Sequence, residues 1–171
     1  MFRIGLGKDI HRLVSGRAFL LGGIEIPHEK GEDGHSDGDV LLHAIIDALL
    51  GAGGLGDIGE LFPPGDPKWK DADSKKLLEI VRKKLGKEGW QIINIDCVIT
   101  CEKPKILPFR EKIRGSIADI LNIKKEQVFV KGKTAEGLDA IGKGEATEAM
   151  AVCLLTADTD DSDLQSELAW V

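Results

Sequence analysis

The chain has 171 residues, 42% of them apolar and 30% charged, so a core can form and global disorder is excluded. A single domain of that length removes roughly 70% of the surface its unfolded chain exposes, and no apolar run approaches the roughly 20 residues that a bilayer span needs. Net charge is −6, but Asp158, Asp160, Asp161, Asp163 and Glu167 carry −5 of it beyond Ala157, leaving the body at −1, which is not the footprint of a general nucleic-acid binder.

In chain order, residues 1–7 and 17–26 read as strands, the second carried by Leu20, Leu21, Ile24 and Ile26 and ended by Pro27. Residues 29–39 are polar and Gly-rich and read as a loop. From Val40 the pattern turns helical, with Val40, Leu41, Ala44, Ile45, Ala48 and Leu49 recurring at the 3.6 period. Ser36 or Asp37 is the expected cap at its start, and Gly51 or Gly53 the expected stop. Residues 54–73 show little periodicity, which for a compact domain predicts a functional or mobile segment.

A second helix is predicted from a cap at Asp73 or Ser74 to Gly86, with Leu77, Leu78, Val81 and Leu85 inward. Residues 91–101 alternate as a strand through Ile93, Ile95, Cys97 and Ile99. Pro108 opens a third helix with the stripe Ile113, Ile117, Ile120 and Leu121, and 127–131 form a short strand. Residues 146–156 fit helix or strand by pattern and are read as a strand. This order predicts a layered α+β domain over 1–157, a sheet with helices on one side, followed by an acidic tail over 158–171. The tail reads as a solvated extension.

Three segments carry chemistry. Asp9-Ile10-His11 follows the first strand, and residues two apart at a strand end project to one side, where they can share a cation. The stretch His35-Ser36-Asp37-Gly38-Asp39 leads into a helix start, whose free N–H groups favour phosphate. His43 and Asp47, four apart, share a face of that helix. Singly, these residues also suit a solvated turn, a helix cap and a half-buried histidine. Together, Asp9, His11 and His43 make one oxygen and two nitrogen donors with a position free, the way zinc is held when it must touch substrate. In Lys131-Gly132-Lys133-Thr134-Ala135-Glu136, the Lys and Thr side chains can hold phosphate and Glu136 can take magnesium. An ordinary polar turn stays the alternative there, and the Walker spacing is absent. Cys97, Cys101 and Cys153 are odd in number. Together with a start, Met1-Phe2-Arg3-Ile4-Gly5, that shows no signal or transit pattern, they point to a reducing compartment.

With these residues in view, the sequence resembles the 2-C-methyl-D-erythritol 2,4-cyclodiphosphate synthases of the non-mevalonate isoprenoid pathway. The likeness runs from Arg3 to about Thr156. It is most specific in His35-Ser36-Asp37-Gly38-Asp39 and in Asp47-Ala48-Leu49-Leu50-Gly51-Ala52. Gly7-Lys8-Asp9-Ile10-His11-Arg12, Gly56-Asp57-Ile58-Gly59, Phe62-Pro63, Ala72-Asp73-Ser74 and Pro104-Lys105-Ile106-Leu107-Pro108 support it.

The resemblance implies a mixed β-sheet with helices on one side, a ferredoxin-like two-layer sandwich, built into a homotrimer whose sites are shared between neighbours. It implies a bacterial, cytoplasmic lyase acting on 4-diphosphocytidyl-2-C-methyl-D-erythritol 2-phosphate. The 2-phosphate attacks the β-phosphorus of the cytidine diphosphate arm and CMP leaves. By this likeness Asp9, His11 and His43 hold Zn²⁺, and Glu136 binds Mg²⁺ or Mn²⁺. His35, Ser36, Lys133 and Thr134 touch phosphate, and Asp47, Asp57 and Gly59 the methylerythritol. Cys101, Pro104, Lys105, Ile106 and Leu107 frame the cytosine, and Lys143 and Glu145 line an anion site on the trimer axis.

The third segment departs from the family pattern: Gly132 and Lys133 replace Ala and Thr, Asp139 and Ala140 replace Gly and Phe, Lys143 replaces Arg and Ala146 replaces Gly. Two other classes stay open at this point, a metal-dependent nucleotide-diphosphate hydrolase and a non-catalytic binder of isoprenoid diphosphates. The segment 60–73 is the expected lid. Neither nucleic acid nor membrane is an expected partner.

Overall fold

The computed structural model describes residues 1–157, so the predicted tail lies outside the described residues. Strand β1 is Phe2–Ser15, twice the predicted length. The two glycines that looked like its end, Gly5 and Gly7, lie inside it and mark where a helix lands. A Cβ on Gly5 would sit 1.9 Å from the Ala48 carbonyl oxygen, and one on Gly7 1.9 Å from that of Ala44. Only a strand without side chains there lets the backbones come so close. Asp9 and His11 are therefore mid-strand residues and share the helix-facing side of β1 with those glycines.

Residues 17–26, predicted as one strand, form the two short strands β2 (Leu20–Leu21) and β3 (Ile24–Glu25), turned by Gly22 and Gly23 at positive φ. The predicted loop 29–39 contains β4 (Lys30–Asp33), which pairs antiparallel with the far end of β1.

Helix α1 (Val40–Gly53) is nearly all buried, as its Val-Leu-Ala-Ile composition requires. Its cap is Asp39, not Ser36 or Asp37. The carboxylate accepts from Leu42 N at 3.0 Å and also from Gly22 N and Gly23 N at 3.0 and 2.6 Å. The helix runs past Gly51 to Gly53 and ends on Gly54 at φ +68°.

The aperiodic 54–73 holds a short helix α2 (Ile58–Leu61), capped by Asp57, and a 3₁₀ turn Pro67–Trp69. The Phe62 and Trp69 rings meet edge to face at 4.9 Å. Helix α3 (Ser74–Lys87), capped by Asp73, follows. Next come β5 (Gln91–Thr100), α4 (Arg110–Leu121), β6 (Val128–Lys133), a short α5 (Asp139–Gly142) that the sequence pattern did not reveal, and β7 (Ala146–Thr156).

The main sheet has the order β4-β1-β7-β5-β6, with β5 and β6 parallel and the other pairs antiparallel. It is the mixed α+β sheet expected. Ile95, Cys97, Ile99, Val128, Val130, Ala149, Ala151 and Leu155 face the helices and close the core. On the opposite face Ile4, Leu6, Ile10, Phe129, Met150 and Val152 are exposed.

Candidate metal centre and ligand pocket

The close landing of α1 on β1 brings His43 onto Asp9 across 34 positions of sequence. Asp9 Oδ2 lies 3.0 Å from His43 Nδ1 and 3.0 Å from His11 Nε2. The His11 and His43 rings meet at a centroid distance of 5.0 Å, tilted by 73°. The three donor atoms fall within 4.8 Å of one another, the only such group of three among the described residues.

The outer nitrogens fit the chemistry of a metal site. His11 Nδ1 is 2.7 Å from the Gly38 carbonyl oxygen, which only accepts, so the proton sits on Nδ1 and the Nε2 lone pair points inward. His43 Nε2 lies 3.0 Å from Ser36 Oγ and 2.9 Å from Ser74 Oγ, leaving Nδ1 on the inner side. Two imidazoles and one carboxylate converging at a half-buried corner are a donor set suited to zinc, with a position left for another ligand.

For Asp9, electrostatics agree with this. Burial opposes ionisation of Asp9, but the hydrogen bonds and charges of His11 and His43 outweigh it and hold its carboxyl well below the usual range. Burial pushes the His11 imidazole down, and the hydrogen bond and charge of Asp9 raise it to a net position above its ordinary value.

Asp47, one turn further along α1, accepts from Ile58 N at 2.8 Å and so fixes the start of α2. Burial pushes its carboxyl up. Asp57 spends its Oδ1 on Glu60 N at 2.8 Å, and Gly59 follows at the exposed surface. His35 is exposed on the loop before α1, and its carbonyl oxygen accepts from Asp71 N at 2.9 Å. The metal group, Ser36, Asp47 and Asp57 thus gather around the N-terminal half of α1.

A second group forms at the ends of β5 and β6. Cys101, Pro104, Lys105, Ile106, Leu107, Lys133 and Thr134 line one cavity of about 250 Å³. Gly132 makes room for it, because a Cβ there would lie 2.8 Å from Ile106 Cβ. Thr134 Oγ1 donates to Glu136 Oε1 at 2.5 Å, with Glu136 at φ +52°.

The register Asp9↔Ala149, Ala149↔Ile99, Ile99↔Gly132 sets this pocket level with the metal group but three strands away, roughly 14 Å at about 4.8 Å per strand. Glu136 is outside the three-donor group. Lys143 and Glu145 are exposed beside α5, Glu145 bordering a cavity of about 400 Å³ with Arg12 and Ala140.

In the sequence Ser74 stood out as a helix cap and as part of the Ala72-Asp73-Ser74 motif, with no role at a metal site. Its contact with His43 had no signal in any local pattern, since 31 positions separate the two. The buried Glu32 was missed for the same reason. No thiolate is on offer as a nucleophile: burial pushes Cys101 up to about 12 and Cys153 up to about 11, and raises Cys97 as well.

The family model described as the YgbB family matches residues 2–156. A 2-C-methyl-D-erythritol 2,4-cyclodiphosphate synthase of Treponema denticola is 63% identical over 90% of this chain and 95% of its own. The solved bifunctional IspDF of Campylobacter jejuni superposes with a TM-score of 0.89 at 38% identity, over 92% of this chain and 43% of that longer one. The CDP complex of IspF from Plasmodium falciparum gives 0.82 at 37% identity, over 92% of this chain and 97% of its own.

Proposed function

The chain belongs to the YgbB family, and we propose that it is a cyclodiphosphate synthase in which Asp9, His11 and His43 hold zinc. The substrate proposed is 4-diphosphocytidyl-2-C-methyl-D-erythritol 2-phosphate, whose 2-phosphate oxygen bonds to the β-phosphorus as the bond to the CMP oxygen breaks. The observation that carries this reading is the convergence of the Asp9, His11 and His43 donors beside a helix start and level with a nucleoside-sized cavity. Asp9, His11 and His43, and separately Glu136, would hold divalent ions, which would supply positive charge and Lewis acidity to phosphoryl oxygens.

Both reactants sit on one molecule, so the protein's task is to fold the substrate in line and hold its charges. His35 and Ser36 before α1, Lys133 at the end of β6 and Thr134 just beyond it bind phosphate oxygens in this reading. Asp47, Asp57 and Gly59 take the methylerythritol hydroxyls. The cavity framed by Cys101, Pro104, Lys105, Ile106 and Leu107 takes the cytosine.

A homotrimer completes the assignment. The exposed Ile4, Leu6, Ile10, Met150 and Val152 form an apolar sheet face of the kind that marks an interface, and each site is shared between neighbouring subunits. Arg12, Lys143 and Glu145 then border the axis. No helix among the described residues is long and apolar enough to cross a membrane, and the location proposed is the bacterial cytoplasm.

The test is to incubate the protein with that substrate and magnesium and to follow the products by phosphorus NMR. CMP with a cyclic diphosphate is the expected result. CMP with a linear phosphate would assign a hydrolase instead, and ligand retention with no CMP a binder.

A further inference from the structure

Behind His43, on the side away from Asp9, stands a hydrogen-bonded chain that the reaction as described does not use. Ser74 is fully buried at the first position of α3. Its Oγ lies 2.5 Å from Asp37 Oδ1, and its backbone N–H donates to Asp37 Oδ2 at 2.9 Å. The same Oγ is 2.9 Å from His43 Nε2. Asp37 is itself pinned, donating its own backbone N–H to the Ala72 carbonyl at 3.1 Å and accepting from Asp39 N at 3.2 Å.

The direction of this chain follows from counting protons. A carboxylate only accepts, so the single proton of the Ser74 hydroxyl goes to Asp37. Ser74 Oγ then has only lone pairs left for His43, and the proton between them must be on Nε2. The Nδ1 lone pair is thereby free on the side of Asp9 and His11. Ser36 also touches Nε2, at 3.0 Å, but its hydroxyl proton has no carboxylate to point at and does not fix the polarity.

We propose that Ser74, anchored by Asp37, is a positioning residue that keeps the proton of His43 on Nε2 and aims its Nδ1 at the ion shared with Asp9 and His11. This rests on the metal-site reading above. It also ties the metal group to the entry of α3, so the path of 54–73 bears on the geometry of a ligand it does not touch.

Zinc affinity of the full chain, measured by competition with a chromophoric chelator, tests it in the parent, Ser74→Ala, Asp37→Asn and the double variant. Outer-shell partners of metal-bound histidines are typically worth about 10- to 100-fold in affinity, and each single variant is expected to lose that much. Asp37→Asn keeps shape but removes the carboxylate that fixes the direction of the Ser74 proton. The double variant should bind no more weakly than the weaker single, because both substitutions cut one chain.

In the zinc-loaded parent, a long-range proton–nitrogen spectrum should show the His43 proton on Nε2, a readout that needs no variant to fold. Parent-like zinc affinity in both single variants, additive losses, or the proton on Nδ1 would overturn the proposal while leaving the metal site standing. A parent that binds no zinc would overturn the metal reading, and this proposal with it.

Discussion

The two halves of the site are built on opposite terms. The metal group sits on the inward face of a long central strand, under a helix packed so tightly that Gly5 and Gly7 tolerate no side chain. Every outer atom of its histidines is engaged: His11 by a backbone carbonyl, His43 by two serines. The pocket at the ends of β5 and β6 rests on the buried Cys101 and Ile106 but is rimmed by exposed residues, with Thr134 and Glu136 hydrogen-bonded to each other. On the function proposed, rigidity sits where a cation would need a preset geometry, and latitude where a flexible phosphate chain would be gathered. Two of the substitutions relative to the family pattern, Gly132 and Lys133, fall in the second region.

Breaking the rigid half should cost most. His43→Ala or Asp9→Asn is expected to remove zinc, read by metal analysis of the purified protein, and with it several kcal/mol of transition-state stabilisation, on the order of 10³ in kcat. Full turnover in a variant shown to be zinc-free would end the comparison.

In the open half, Glu136→Gln should raise the magnesium concentration for half-maximal activity about 10- to 100-fold while zinc content stays at the parent level, because the loss is one ligand charge. An unchanged magnesium titration counts against Glu136 as a ligand.

Gly132→Ala is expected to be milder. Its Cβ pushes on Ile106 and narrows the cavity, an overpacking of about 1–3 kcal/mol that should appear as a roughly tenfold rise in KM for the cytidine substrate, with kcat changed less. Equal loss in both constants would place Gly132 nearer the reacting phosphates than the fold suggests.

The smallest effect concerns the scaffold of the rigid half. Glu32 is fully buried on β4, with Oε2 accepting from Val40 N at 3.2 Å and Oε1 without a partner among the described residues. Burial, with repulsion from Asp39, pushes its carboxyl well above the ordinary value. A folded-state pKa raised above the unfolded one gives stability that is whole below about pH 4.5 and is lost as pH rises through the folded value. One such group changes stability by at most about 1.4 kcal/mol per pH unit. Glu32→Gln should therefore flatten that decline in urea melts, leaving zinc content at the parent level. A variant that falls with pH as steeply as the parent would move the titration elsewhere.

Much of the frame was legible along the chain because periodicity and capping are local. The apolar repeat of α1, the alternation of β5, the stripes of α3 and α4 and the strand character of 146–156 follow from backbone hydrogen bonding and the side-chain period. The donor residues of the metal group were legible too, since the chain has only four histidines and three of them, His11, His35 and His43, fall in the two segments singled out.

What local pattern could not supply was meaning for Gly5 and Gly7, which signal a break in sequence and a helix contact in space. Nor could it find α5, a single turn with no repeat to detect, or choose Asp39 over its neighbours as cap, because that choice depends on Gly22 and Gly23 arriving from another segment.

By itself, then, the sequence determined the main helices and strands and which side chains can bind a cation or a phosphate. Tertiary structure alone decided that β1 continues through Asp9 and His11, that His43 meets them, that Ser74 and Asp37 stand behind it, and that one sheet face is left apolar and exposed. These are long-range matters: they depend on how closely two backbones approach and on which distant group uses a lone pair or a proton. No periodicity of 2 or 3.6 encodes that.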